Sequence, residues 1–233
     1  MALLQSEILA AVRKHVEYAA AIDRKNYFQE PAYVAAFFGR LDGTVDLGKG
    51  NGTITFKPVV VNDHGPGAAE KKFGADFSLT FESVDVDPEV SKAILGQGKG
   101  SEIDALDKRE SERLRGQTAK MACHTEDYIV FESPKTAKAI PTVLVGNPSA
   151  GTWNKPPISF DAYLVDKVIS CAHGDRRDSF IKAVVGSSLP GLKVITKGLT
   201  FEPDAPGGSN TPSLPPAPSA PALTPPTKKR TMK

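Results

Sequence analysis

Three residues stand where their types and spacing permit chemistry: Asp76, Gln97 and Lys99. Side chains of an extended strand alternate between faces, so Gln97 and Lys99 share one face and Gly98 takes the other. The stretch 74–82, in which Phe77, Leu79 and Phe81 alternate with Asp76, Ser78, Thr80 and Glu82, has the pattern of a half-buried strand. Residues 92–99, KAILGQGK, read as a second strand, and SVDVDPEV between them as a turn. Paired as a hairpin, the start of the first strand lies against the end of the second, which puts Asp76 beside Gln97 and Lys99. A carboxylate and an amide oxygen can hold a hard divalent ion such as Mg²⁺, which keeps several waters of its own. The lysine cannot ligate that ion, but it can orient a metal-bound water or stabilise charge developing on a phosphate. Lysine is seldom buried without a partner, so this ammonium is expected to have anionic company.

The elements that must position these residues follow from periodicity. Leu4, Ile8, Ala11, Val12, Val16 and Ala19 recur at helical spacing and predict an amphipathic helix over 3–22. A second helix opens at Glu30-Pro31, with proline in the first turn, carries Tyr33, Val34, Phe37, Phe38 and Leu41, and stops at Asp42-Gly43. Residues 53–61 read as a strand and 62–74 as a polar, glycine-rich loop. After the second strand of the hairpin come a charged helix over 104–124, strands over 127–133 and 139–147, a helix over 159–174 with a glycine stop, and strand-like text in LKVITKGLTFE. Helices and strands alternate, which predicts an α/β or α+β class built on a mixed sheet of about four to six strands.

The chain has 233 residues and a formal net charge of +2, and its pI near 8.4 is raised by the terminal KKRTMK. A near-neutral total leaves room for a local basic groove. From Pro203 onward the sequence is dense in Pro, Ser and Ala, with little that is large and apolar, so 1–202 is expected to form one domain and 203–233 a disordered, partly polyproline tail. Two cysteines, Cys123 and Cys171, are too few for a disulfide scaffold. No apolar run approaches the ~20 residues of a membrane span, and the first helix carries too much charge for a signal peptide. The expectation is a cytoplasmic protein with no membrane partner. Several motifs fail on inspection. GQGKGS lacks the Ser or Thr that a phosphate loop needs after its lysine and the glycine five positions before Gly98. Cys123-His124 and Cys171-Ala172-His173 do not have zinc-knuckle spacing, and His64 has no sequence partner.

Asp76, followed by Gln97-Gly98-Lys99 at the end of a strand and then by a helix and another strand, resembles the PD-(D/E)xK nuclease superfamily, the restriction-endonuclease-like fold, in its Q-x-K variant. The likeness covers roughly residues 28–133. It implies a metal-dependent endonuclease that hydrolyses DNA phosphodiester bonds, with Mg²⁺ (or Mn²⁺) held by Asp76, Gln97, a glutamate from an upstream helix and the carbonyl of Gly98. Glu30 is the best match for that glutamate, ahead of Glu7 and Glu17. The resemblance further implies that Lys99 helps position or deprotonate the attacking water and that Gln117, on the following helix, stands near the site. It implies a homodimer or higher oligomer, and a role as a bacterial or phage defence or restriction effector. Glutamine in place of the family's second acid removes one negative charge from the metal site. The alternative is therefore a catalytically inactive relative that binds nucleic acid or recruits partners through its Pro-rich tail.

Overall fold

The computed structural model describes residues 3–23, 27, 29–48, 50–60, 69–85, 87, 89–199 and 201–202. The tail 203–233, His64 and most of the loop after residue 60 lie outside the described residues. The chain is mixed α+β. In order it forms β1 (Leu3–Leu4), α1 (Gln5–Ala20), α2 (Glu30–Leu41), β2 (Gly43–Asp46), β3 (Thr53–Val59), α3 (Ala69–Phe73), β4 (Phe77–Val84) and β5 (Val90–Lys99). A 3₁₀ turn (Ile103–Ala105) leads to α4 (Lys108–Ala122), β6 (Tyr128–Glu132), β7 (Thr142–Asn147), β8 (Thr152–Trp153) and β9 (Ile158–Ser159). Then come α5 (Phe160–Tyr163), a π-helical turn (Leu164–Ile169), α6 (Asp178–Val185), β10 (Gly191–Lys197) and β11 (Phe201–Glu202).

The central sheet has the order β2-β3-β10-β4-β5-β6-β7-β8, with β9 also pairing β7. It is thus larger than the four to six strands predicted. The additional members are short: β8 and β9 have two residues each, and β2 has four with a single large apolar side chain, Val45. β4 pairs β5 antiparallel, with Phe77 opposite Gly96. β5 pairs β6 in parallel, with Lys99 opposite Glu132, and α4 makes the crossover between them. β10, late in the chain, lies between β3 and β4. Among the described residues no helix is long and apolar enough to cross a membrane.

Two layers of helix cover the sheet. On one face α1, α2 and the π-turn bury Ile8, Val12, Phe37, Phe38 and Val168 against Phe77, Leu79, Phe81, Ile94 and Phe131. On the other, α3, α4 and α6 bury Phe73, Met121, Phe180 and Val184 against Ala93, Leu95 and Tyr128. Phe37 and Phe38 pack edge-on or tilted against Phe77, Phe131 and Phe160, with ring centroids 5.3–6.3 Å apart. This aromatic cluster fixes α2 on the sheet. Gly96 has to be glycine, because a Cβ there would fall inside the Phe77 ring.

The remaining differences from sequence expectation are local. Part of the expected loop 62–74 is α3, which buries Ala69 and Phe73 one helical turn apart. α6 appears where no helix was expected, carried by Phe180 and Val184. The helix expected to run to residue 174 ends at Ile169, having widened into a π-turn. Lys92 Nζ donates to Val168 O and to His173 O, both at 2.6 Å, and so closes this helix end from inside the core.

Candidate active site

Strand alternation decides which side chains meet. Phe77, Ile94 and Phe131 face α1 and α2, whereas Ala93, Leu95 and Tyr128 face α4. Asp76, Gln97 and Lys99 fall on the α4 side by the same period. Asp76 N donates to Gly96 O at 2.8 Å, so the β4–β5 ladder continues one residue beyond Phe77 and sets Asp76 against Gln97. Just before it, Gly74 has φ +74°, and a Cβ there would collide with Gln117 O. The chain can therefore enter β4 tightly under α4.

Asp76 Oδ2 accepts the amide nitrogen of Gln97 in a very short contact, and also Gly98 N at 3.0 Å. Gln97 is buried. Its Nε2 reaches Gly98 O as well, at 3.3 Å, while its Oε1 is buried with no hydrogen-bond partner. Lys99 is 1% exposed and its ammonium lies 3.9 Å from Glu30 Oε2 and 3.8 Å from Glu110 Oε2. Those carboxylates are 34% and 38% exposed, so the buried ammonium lies behind two half-exposed acids. Both separations exceed hydrogen-bond length. The ammonium is held by attraction without a hydrogen bond to either acid.

The site forms where the two helical layers meet at the carboxyl end of β5. Glu30 is the first residue of α2 and arrives from one face, set in place by the aromatic cluster two turns further on. Glu110 arrives from the other, in the first turn of α4. Asp107 caps that helix, its side chain accepting Glu110 N at 2.8 Å. Glu110 Oε1 also stands 3.8 Å from Arg113, which is 60% exposed.

Of the residues singled out in the sequence, Asp76, Gln97 and Gly98 are joined by hydrogen bonds and Glu30 is brought to Lys99. Two glutamates, Glu30 and Glu110, form ion pairs with Lys99, and the partners of Asp76 include Gln97 and Gly98. Gln117 lies on α4 with its main-chain oxygen against Gly74, and its Oε1 is buried without a hydrogen-bond partner. Glu7 instead accepts Leu4 N at 3.0 Å at the start of α1, and Glu17 is exposed on that helix. Glu110 was missed. Its spacing from Asp107 has the capping-box form, which accounts for the residue without any site.

A second lysine of β5, Lys92, is completely buried on the opposite face. It ends on backbone carbonyls and lies 5.0 Å from the Phe81 ring centroid. Burial above all lowers its pKa from 10.5 to about 8. Next to it His173 Nδ1 is 2.8 Å from the Tyr163 hydroxyl, and its Nε2 lies 3.5 Å from Asp127 Oδ1. Burial first, partly offset by Asp127, lowers the His173 pKa to about 4. Lys92 has no opening to solvent and braces the fold, whereas Lys99 faces exposed acids. Among the described residues, no three or more His, Cys, Asp or Glu side chains are grouped so as to hold a metal ion. Comparison with protein-family models, with curated proteins and with solved structures gives no match to this chain.

Proposed function

We propose that the protein is a metal-dependent DNA endonuclease of the restriction-endonuclease-like class, with Asp76, Gln97, Lys99 and Glu30 at its centre. One observation carries the reading. A buried ammonium flanked by two half-exposed carboxylates stands beside a joined Asp–Gln pair, at the carboxyl end of a strand in parallel pairing with its neighbour. Strand carboxyl ends are where open α/β sheets place ligands.

The oxygens of Asp76, Gln97 and Glu30 are hard donors suited to Mg²⁺. Gln97 Oε1, buried and without a partner, is the ligand atom with no other task. Gly98 O already accepts from Gln97 Nε2 and is the weaker candidate. An ion held there would supply an activated water and neutralise phosphate charge. Lys99 offsets the negative charge that builds on the phosphate as water adds to phosphorus and the bond to the leaving sugar oxygen breaks. Glu30 and Glu110 aim the lysine. Lys108, Arg109, Arg113 and Arg115, exposed along the first half of α4, offer phosphate contacts on either side of the scissile bond.

The test is cleavage of supercoiled plasmid with Mg²⁺. Lys99→Ala and Asp76→Ala are expected to abolish it with circular dichroism unchanged, and retained cutting by both purified variants refutes the site. A second reading, nucleic-acid binding without hydrolysis, is favoured by one feature: the Gln97 amide hydrogen-bonds Asp76 at the point where the family's second acid would face an ion. Calorimetry with Mn²⁺ separates the two. Catalysis predicts heat that is lost in Asp76→Ala, and a binding protein gives none.

A further inference from the structure

A cavity of about 300 Å³ lies where the chain leaves the carboxyl ends of β5 and β6, between the 3₁₀ turn and the segment 133–142. Ala105, Pro134 and Ile140 give it apolar walls, and Glu102, Ser133 and Lys135 give it polar ones. It adjoins the candidate site through the backbone, because Ser133 N donates to Lys99 O at 2.7 Å.

Two features mark it as a place for a ligand. Its volume is at the lower end of the range that ligand pockets occupy. Ser133, which lines it, is 1% exposed, and its hydroxyl is buried with no hydrogen-bond partner in the protein. An unmet buried hydroxyl is destabilising, and a ligand in the cavity can relieve it. The adjoining Glu132 is consumed structurally: Oε1 accepts Ile103 N at 2.7 Å and Oε2 accepts the Thr142 hydroxyl at 2.5 Å. That carboxylate braces the wall and, with Glu102, outnumbers the lining Lys135, which disfavours an anion in the cavity.

Apolar sides and polar edges suit a flat heterocycle. Ser133 follows Glu132, which stands opposite Lys99 in the β5–β6 ladder, so the cavity lies one residue beyond the register of the lysine. We infer that the cavity takes one nucleobase, unstacked from the strand whose phosphate meets Lys99, with the Ser133 hydroxyl bonding its edge. This rests on the nuclease reading above.

The test uses short DNA duplexes carrying 2-aminopurine at each position in turn, without divalent ion. Binding is followed by anisotropy and unstacking by 2-aminopurine fluorescence. Wild-type protein is expected to raise the fluorescence several-fold at one position. Ser133→Val, which removes the hydroxyl, and Ala139→Leu, which fills the cavity from its half-exposed wall, are expected to bind while losing that rise. Ala139→Leu keeps the test decisive should loss of the hydroxyl perturb folding. Binding with no rise at any position, or a rise that persists in both variants, overturns the base pocket and leaves the nuclease reading standing. Failure of the wild type to bind DNA at all, both here and with Ca²⁺ added in place of Mg²⁺, overturns both.

Discussion

Replacing Lys92 by methionine keeps most of the length of the side chain and removes its charge. In the folded protein this ammonium has a pKa of about 8 against an ordinary 10.5; burial is the main cause, Cys171 opposes it, Arg176 adds to it and Asp127 opposes it. Between those values the unfolded chain holds the proton more tightly than the folded one, so stability rises with pH across the window. The full gap is worth about 3 kcal/mol at 1.36 kcal/mol per unit. Tyr163 works the other way at higher pH. Its buried hydroxyl is raised above 10, so the unfolded chain loses that proton first. The clean interval is therefore about pH 7.5 to 9.5, across which the Lys92 contribution amounts to about 2 kcal/mol. Urea unfolding at three pH values in that interval measures it. Wild-type protein should gain about 2 kcal/mol more than Lys92→Met between the ends. The variant also strands the carbonyls of Val168 and His173, which lowers its stability at every pH without altering the slope. Parallel curves for the two proteins would refute the account of Lys92 as a buried, titrating brace.

Other outcomes follow from neighbouring parts of the structure. His173, at about 4 in the fold and 6.5 when unfolded, costs stability as pH falls through that interval, up to about 3 kcal/mol; His173→Gln should flatten the acid limb of a thermal-melting series relative to wild type. Gly96→Ala should destabilise by about 1–3 kcal/mol in urea, because the new methyl displaces the Phe77 ring from the aromatic cluster. The double variant Arg109→Ala, Arg113→Ala should weaken DNA binding and lower the slope of log K against log salt by about 2, two phosphate contacts at roughly 0.9 each. An unchanged slope would remove α4 from the interface.

The site strands were legible because alternation around Phe77, Leu79 and Phe81 fixes which face each residue takes, and a hairpin fixes register. That arithmetic placed Asp76 against Gln97 without any tertiary information. The start of α2 was legible for a similar reason, since proline in a first turn and the stop at Asp42-Gly43 are local signals. Glu110 was not, because its proximity to Lys99 depends on how α4 lies over the sheet, and nothing local encodes that. The burial of Lys92 was equally hidden. A lysine in strand text is neutral evidence until the π-turn that covers it is known, and that turn forms only by packing. α6 was too short, with two apolar anchors, for periodicity to separate it from loop. The sheet order stayed out of reach because β10 joins strands more than a hundred residues earlier in the chain.

The position of β10 matters during synthesis. Its seven residues are paired along their whole length with β3 on one side and β4 on the other. Until residue 197 has left the ribosome, the hairpin carrying Asp76 and Gln97 and the ribbon of β2 and β3 each present a bare, hydrogen-bonding flank, with nothing to join them. The hairpin that carries the candidate site is thus synthesised long before the strand that seals the sheet around it. Any product cut short ahead of Gly191 keeps two adhesive margins and is a natural client for chaperones.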